Sequence, residues 1–286
     1  MADDLGGGPV TAAPLESQVD LQSRLYAAYQ TARQATPLKG RFMPYGWSSF
    51  PSDAGGAWMP YGEMLSEFAR ELANTINGLT HHVHRLQAWA QVIAPLPYEE
   101  QMEAAHEFIE VLGTAAIGLP YVIKSRLAYA AGHLSHQANM TRKGWQDVFP
   151  AKTALYLNDI EPFGAPWKTF RAFKRKVEAI GGKAFRAATS DFRNAYNHRF
   201  PPRLVLGVTN IIERASDPTT GKAVYLLGGS APLQPLEVAN LLMRELDLCY
   251  DAFEAFQALV DEQTKAIVAF EAARVATDDE PPARAP

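Results

Sequence analysis

The sequence predicts an all-α fold, a multi-helix bundle with one β-hairpin set between a short basic helix and a final long helix. Three observations carry this expectation. Apolar residues recur at helical spacing along most of the 286 residues. Only one stretch pairs two β-branched runs across a turn cluster. No unit of 20–50 residues repeats, which sets solenoids and propellers aside.

Leu21, Leu25, Ala28 and Tyr29 mark a first helix over 16–34. A loop over 40–62 follows, rich in aromatics (Phe42, Tyr45, Trp47, Phe50, Trp58, Tyr61) and carrying Met-Pro-Tyr-Gly twice. Loops of this length often serve function, and aromatics can stack on bases. Covering a core edge is the commoner role. A long helix is expected over 63–93, ended by Pro95 and Pro97, then helices over 98–112 and 120–140, the latter with Pro120 in its first turn. Residues 145–166 read as irregular, with room for one short helix. Helices over 167–180 and 183–199 are separated by Gly181-Gly182. The hairpin is expected to pair 204–208 with 223–227 around Asp217-Pro-Thr-Thr-Gly221, and a last helix to run over 236–275. Residues 1–15 and 276–286 read as polar, Gly/Pro-rich tails. Between them lies a single domain over 16–275, its core over 60–275.

Composition narrows the function classes. A hydrophobic fraction of 47% with 20% charged residues supports a full core and argues against global disorder. The lone Cys249 removes any internal disulfide framework and fits a reducing compartment. Its neighbours Leu246, Leu248 and Tyr250 mark it as a buried thiol rather than a nucleophile. The acidic start Met1-Ala-Asp-Asp4 lacks secretory-signal character, and the apolar stretch 115–129 is broken by Lys124 and Arg126. A cytoplasmic protein with no membrane partner is the expectation.

Charge is distributed unevenly. From Lys168 to Arg203 stand ten basic residues: Lys168, Arg171, Lys174, Arg175, Lys176, Lys183, Arg186, Arg193, Arg199 and Arg203. Only Glu178 and Asp191 oppose them, a net +8 inside a chain of net charge −4. A solvated helix face accounts for part of this. A basic stripe on an acidic protein more often meets a phosphate-bearing partner, here RNA.

Within the stripe lies Asp191-Phe192-Arg193-Asn194-Ala195-Tyr196-Asn197-His198. On a continuous helix at about 100° per residue, Phe185, Ala188, Phe192, Ala195 and Tyr196 share the core face. Asn194 and His198 then project together from the opposite side, with Arg193 on the flank and Asp191 near His198. Pro201 places His198 in the last helical turn. There the helix dipole favours imidazolium while neighbouring cations oppose it, a balance suited to proton transfer near neutral pH. An arginine beside it stabilises charge on a phosphoryl group, and an asparagine orients substrate or imidazole.

These residues resemble the HEPN superfamily of helical-bundle proteins. Its signature is Arg, usually followed by Asn or another polar residue, then His after four to six intervening residues. Here four residues separate Arg193 from His198, and Asn194 occupies the favoured position. The resemblance implies a metal-independent endoribonuclease that needs no cofactor, with two motif copies facing each other across a homodimer cleft. His198 would be the acid/base group, Arg193 the phosphate stabiliser and Asn194 the positioner. Attack by the RNA 2′-hydroxyl would leave a cyclic phosphate. Asp191 is the nearest acidic support for Arg193, with Glu67 and Glu71 as remoter candidates. Phe200 stands where several families of the superfamily carry Tyr, which puts in doubt any chemistry needing that hydroxyl. A toxin or defence role, with an antitoxin or regulatory partner, would fit the resemblance.

Two other readings remain open at this stage. One is a non-catalytic module binding RNA, nucleotide or protein. The other is a metal site built from His81, His82, His84, His106, His133 and His136, with Glu103-x-x-His106 as its nearest motif. That motif lacks the second copy a di-metal bundle needs. No Walker loop, Gly-x-Ser-x-Gly elbow or Cys-x-x-Cys pair occurs.

Overall fold

The computed structural model describes residues 16–51, 54–151 and 154–278. In chain order they form α1 (Gln18–Ala35), α2 (Met59–Ile93), α3 (Tyr98–Ala104), α4 (Glu110–Ala138), α5 (Leu157–Gly164), α6 (Phe170–Ala179), α7 (Lys183–Ala188) and α8 (Phe192–His198). The strands β1 (Ile212–Ser216) and β2 (Ala223–Leu227) follow, then α9 (Pro235–Asp278). The fold is an all-α multi-helix bundle with one antiparallel hairpin. The expected tail over 1–15 lies outside the described residues, as do residues 279–286.

Three long helices make the core. In α2 the buried residues Leu65, Ala69, Leu72, Ile76, Leu79, Val83 and Leu86 alternate steps of four and three. In α9 Leu242, Leu246, Cys249, Phe253, Phe256, Val260, Gln263 and Ile267 keep the same rhythm. This is the 3.5-residue period that holds one seam of a helix against a neighbour. Side-chain contacts fix the directions. Trp58 donates to Glu271, Tyr61 to Gln263, and Thr80 pairs with Tyr250, so α2 runs antiparallel to α9. Gln263 donates to Ser135 on α4 while Lys124 feels Glu245, so α4 runs parallel to α9. Gln263 is wholly buried and joins all three helices through Tyr61 and Ser135, a polar layer that pins their register.

Around this triad α1 packs on α2, α5 on α4 and α6 on α9. The α4–α5 contact is close because Gly132 has no side chain: a Cβ there would stand 2.5 Å from Cγ2 of Ile160. The aromatic loop lies over the core edge. Trp47 meets Phe253 and Phe256 edge-on, Phe50 packs on Tyr61, and Trp58 is buried against Phe270.

Four boundaries depart from the sequence expectation. Helix α2 begins at Met59 rather than 63, with Pro60 in its first turn. The helices expected over 98–112 and 120–140 are one rod, since a π-helical turn, Ala105–Ile109, joins α3 to α4. Pro120 therefore sits inside α4, not in a first turn. Its missing N–H costs one backbone hydrogen bond, offset by burial of Pro120 with Ile117 and Ile123 in the central seam. By length and composition this rod could cross a membrane, yet its buried side packs on α2, α5 and α9. The first hairpin strand is Ile212–Ser216, not 204–208. Leu204 and Val205 are buried; Leu204 packs on Gly113, and the segment pairs in an isolated parallel bridge with Leu233 rather than with 223–227. Finally α9 is helical through Asp278, past the expected start of the tail at 276.

Candidate functional site

The expected helix over 183–199 is two helices. Thr189 turns its hydroxyl onto the Phe185 carbonyl, and Ser190 and Asp191 both adopt left-handed backbone, φ 51° and 52°. Such backbone costs about 1–2 kcal/mol per non-glycine residue, least for Asp and Asn. The break resets the phase between α7 and α8. Phe185, Phe192 and Ala195 are buried as expected, but Ala188 and Tyr196 are exposed, which corrects the single core face drawn from a continuous helix.

Helix α8 therefore presents the motif in its own way. Asp191 precedes the first turn, and its carboxylate accepts a hydrogen bond from Asn194 at 3.0 Å. That pairing replaces the expected approach of Asp191 to His198. Arg193 leans the other way, its guanidinium 5.0 Å above the Tyr121 ring of α4. Glu67 and Glu71 stand elsewhere, beside Arg126, and neither touches Arg193. His198 closes α8 with an exposed side chain that, among the described residues, has no hydrogen-bond or ion-pair partner. Five residues at about 100° each put Arg193 and His198 roughly 140° apart around α8. Within one chain the two do not converge.

Arg193 borders a cavity of about 440 Å³ between α4, the start of α5, and the α6–α8 segment. Arg186, Lys124, Tyr121 and Gly181 also line it. Lys124 donates to the carbonyls of Glu178 and Ile180, capping the end of α6, and burial holds its ammonium below the usual lysine range. Among the described residues the buried Tyr121 hydroxyl has no hydrogen-bond partner, and burial raises its phenol above the ordinary value. Beneath them Glu245 accepts from the Gly181 amide at 2.8 Å; burial raises this carboxyl, and that amide and Lys124 pull against the rise. A smaller cavity of about 190 Å³ lies on the other side of α8, walled by Phe192, Tyr196, Phe200 and Arg203.

The basic stripe is partly neutralised in three dimensions. Lys174 pairs with Glu161 at 2.8 Å, Lys176 with Asp251 at 2.5 Å, and Arg203 approaches Glu110 at 3.8 Å. The backbone amides of Lys168 and Thr169 both donate to Glu262. Arg171 and Arg175 share a surface hollow with Lys168 and Lys174 and have no carboxylate partner among the described residues. Lys183 and Arg199 are exposed at the two ends of the α7–α8 segment.

Three histidines of the metal reading are otherwise engaged. His84 bonds the Thr36 carbonyl, His136 meets Asp147 at 3.1 Å, and His133 packs among Tyr129, Phe149 and Phe68. Glu103 accepts from Gln18 and Gln22. Among the described residues no group of three or more His, Cys, Asp or Glu side chains is placed to hold a metal ion.

Sequence reasoning missed Tyr121 and Lys124 as neighbours of the motif. One signal was present: Lys124 interrupts an apolar stretch, where a charge demands a partner. Comparison with protein-family models, with curated proteins and with solved structures finds no match to this chain.

Proposed function

We propose that this chain is a metal-independent endoribonuclease of the HEPN type, working in the cytoplasm as a homodimer. The observation that carries the reading is the state of His198. It stands exposed at the end of a surface helix, four residues after Asn194, and among the described residues no hydrogen bond or ion pair engages it. A histidine free of structural duty, with an asparagine on its own face, is available to exchange a proton with a substrate.

Arg193 and His198 diverge within one chain, so a working pair requires the Arg of one copy near the His of another. Two-fold packing of α8 against its mate supplies that arrangement. Tyr196 and Phe200 are exposed beside the motif, the latter 76% accessible, and Ile211 and Ile212 extend the apolar rim toward the hairpin. An apolar rim of this kind suits a protein interface. In the reaction the 2′-hydroxyl attacks the adjacent phosphorus, the bond to the 5′-oxygen breaks, and a 2′,3′-cyclic phosphate remains. His198 exchanges the proton, Arg193 offsets charge on the phosphoryl oxygens, and Asn194 positions the group.

The test is RNA cleavage in excess chelator by wild type and His198→Ala, with product termini analysed for the cyclic phosphate. Cleavage by wild type alone supports the reading. Equal cleavage by both sinks it. RNA binding by both without cleavage moves the chain to a non-catalytic binding module.

A further inference from the structure

We infer that the cavity between α4 and the α6–α8 segment is a binding site for a small phosphorylated molecule, its phosphate held by Arg186, Arg193 and the Tyr121 hydroxyl. The inference goes beyond RNA cleavage, because His198 does not line this cavity.

Four observations converge. First, the two arginines carry no carboxylate partner among the described residues; Arg193 has only the face of Tyr121 beneath it. Two unpaired guanidiniums at one concavity are the usual means of gripping a phosphate, through planar, multiply donating forks. Second, the Tyr121 hydroxyl is buried and, among the described residues, has no hydrogen-bond partner. A buried O–H left unpaired costs about 1–3 kcal/mol, and an anion oxygen in the cavity relieves that cost. The ring is clamped, since a Cβ on Gly181 would stand 2.9 Å from its Cε1 while Phe185 flanks it at 6.0 Å, so the hydroxyl is preset.

Third, Lys124 adds a positive charge and is fixed by two carbonyls rather than by an acid. Glu178 and Glu245 act on it through space and offset part of its field. Fourth, the cavity has polarity along its length. Glu178, the carboxylate on its lining, lies at the α6 end, within 3.9 Å of Lys174. The remaining wall includes Leu155 and Leu157. A phosphate therefore seats at the arginine end, and an uncharged organic body fits against the leucines. The volume, about 440 Å³, suits a molecule of that size.

Occupancy would engage Arg193, the same residue proposed to act on RNA, so such a ligand would compete with cleavage. The binding test is independent of that link. Phenyl phosphate and inorganic phosphate are titrated into the full chain by calorimetry, with no RNA present. Phenyl phosphate is expected to bind saturably and more tightly than inorganic phosphate. Tyr121→Phe, which keeps the ring, and Arg186→Gln, at an exposed position, are each expected to weaken it about tenfold. Lys265→Gln, on the exposed side of α9, is expected to change nothing. Absence of saturable binding at millimolar phenyl phosphate overturns the assignment. So do titrations of folded Tyr121→Phe and Arg186→Gln that overlay the wild type. These outcomes stand whatever the cleavage assays show.

Discussion

Arg193 rests its guanidinium 5.0 Å above the Tyr121 ring, so a residue of α4, 72 positions earlier in the chain, orients the first residue of the motif. The contact leaves the planar fork free at its edges. Arg193→Lys keeps the charge but loses both the fork and the stacking. It should cost about 0.5–1 kcal/mol of stability and impair RNA cleavage severely. A lysine variant with wild-type cleavage would remove Arg193 from the reaction.

Neighbouring residues on α8 should give opposite signatures. His198 is exposed and, among the described residues, unpartnered, so His198→Ala should leave stability within about 0.5 kcal/mol while reducing cleavage about 10²–10⁴-fold. Phe192 is 3% accessible, and Phe192→Ala should cost about 3–5 kcal/mol through the cavity it leaves. Thermal melts and single-turnover cleavage separate the two. Unfolding of His198→Ala would mark the histidine as structural.

The ion pairs of the basic stripe rank its members. Contact with about five phosphates would give a slope of log affinity on log salt near −3 to −4 for single-stranded RNA. Arg171→Gln and Arg175→Gln should weaken RNA binding more than Lys174→Gln and Lys176→Gln, because Glu161 and Asp251 already neutralise the two lysines. A flat salt response would contradict a phosphate-bearing partner altogether.

Acid should destabilise the fold through its half-buried imidazoles. Burial, and then the charge of His136, holds His133 below the usual 6.5; His82 is lowered by burial and by Arg85. The unfolded chain takes up these protons near pH 6.5 while the folded chain resists them, so stability is full above that value and falls as pH drops through it. Glu245, raised by burial, acts in the opposite sense above its ordinary 4.5. Melting temperatures from about pH 7.5 to 5.5 should decline, and His133→Gln should flatten the decline. A slope unchanged by the substitution would show that His133 does not supply it.

Gln263 should matter for register. Gln263→Leu removes the acceptor of Tyr61 and the donor to Ser135 in a fully buried layer, and should cost about 1–3 kcal/mol. Tyr61→Phe on that background should cost less than it does alone. Additive losses in denaturant unfolding would show that the two side chains act independently.

The long helices were legible because their information is local and periodic. The alternation of four and three along Leu65–Leu86 or Leu242–Ile267 can be read from residue identities, and burial of that seam stabilises the helix it specifies. The motif was legible for the same reason, as was the choice of Phe192 and Ala195 for its buried face. Three features depended on the folded chain. Pro120 reads locally as a helix start, yet it lies mid-helix, buried with Ile117 and Ile123. Residues 204–205 read as the partner of 223–227, yet Leu204 fills the space beside Gly113 and bridges to Leu233 instead. The partners of the charged residues, Tyr121 under Arg193 and Asp251 on Lys176, come from distant segments that only packing unites. Periodicity reports which face of an element is apolar. Which charges that element meets is set by long-range contacts, and no spacing within the element encodes them.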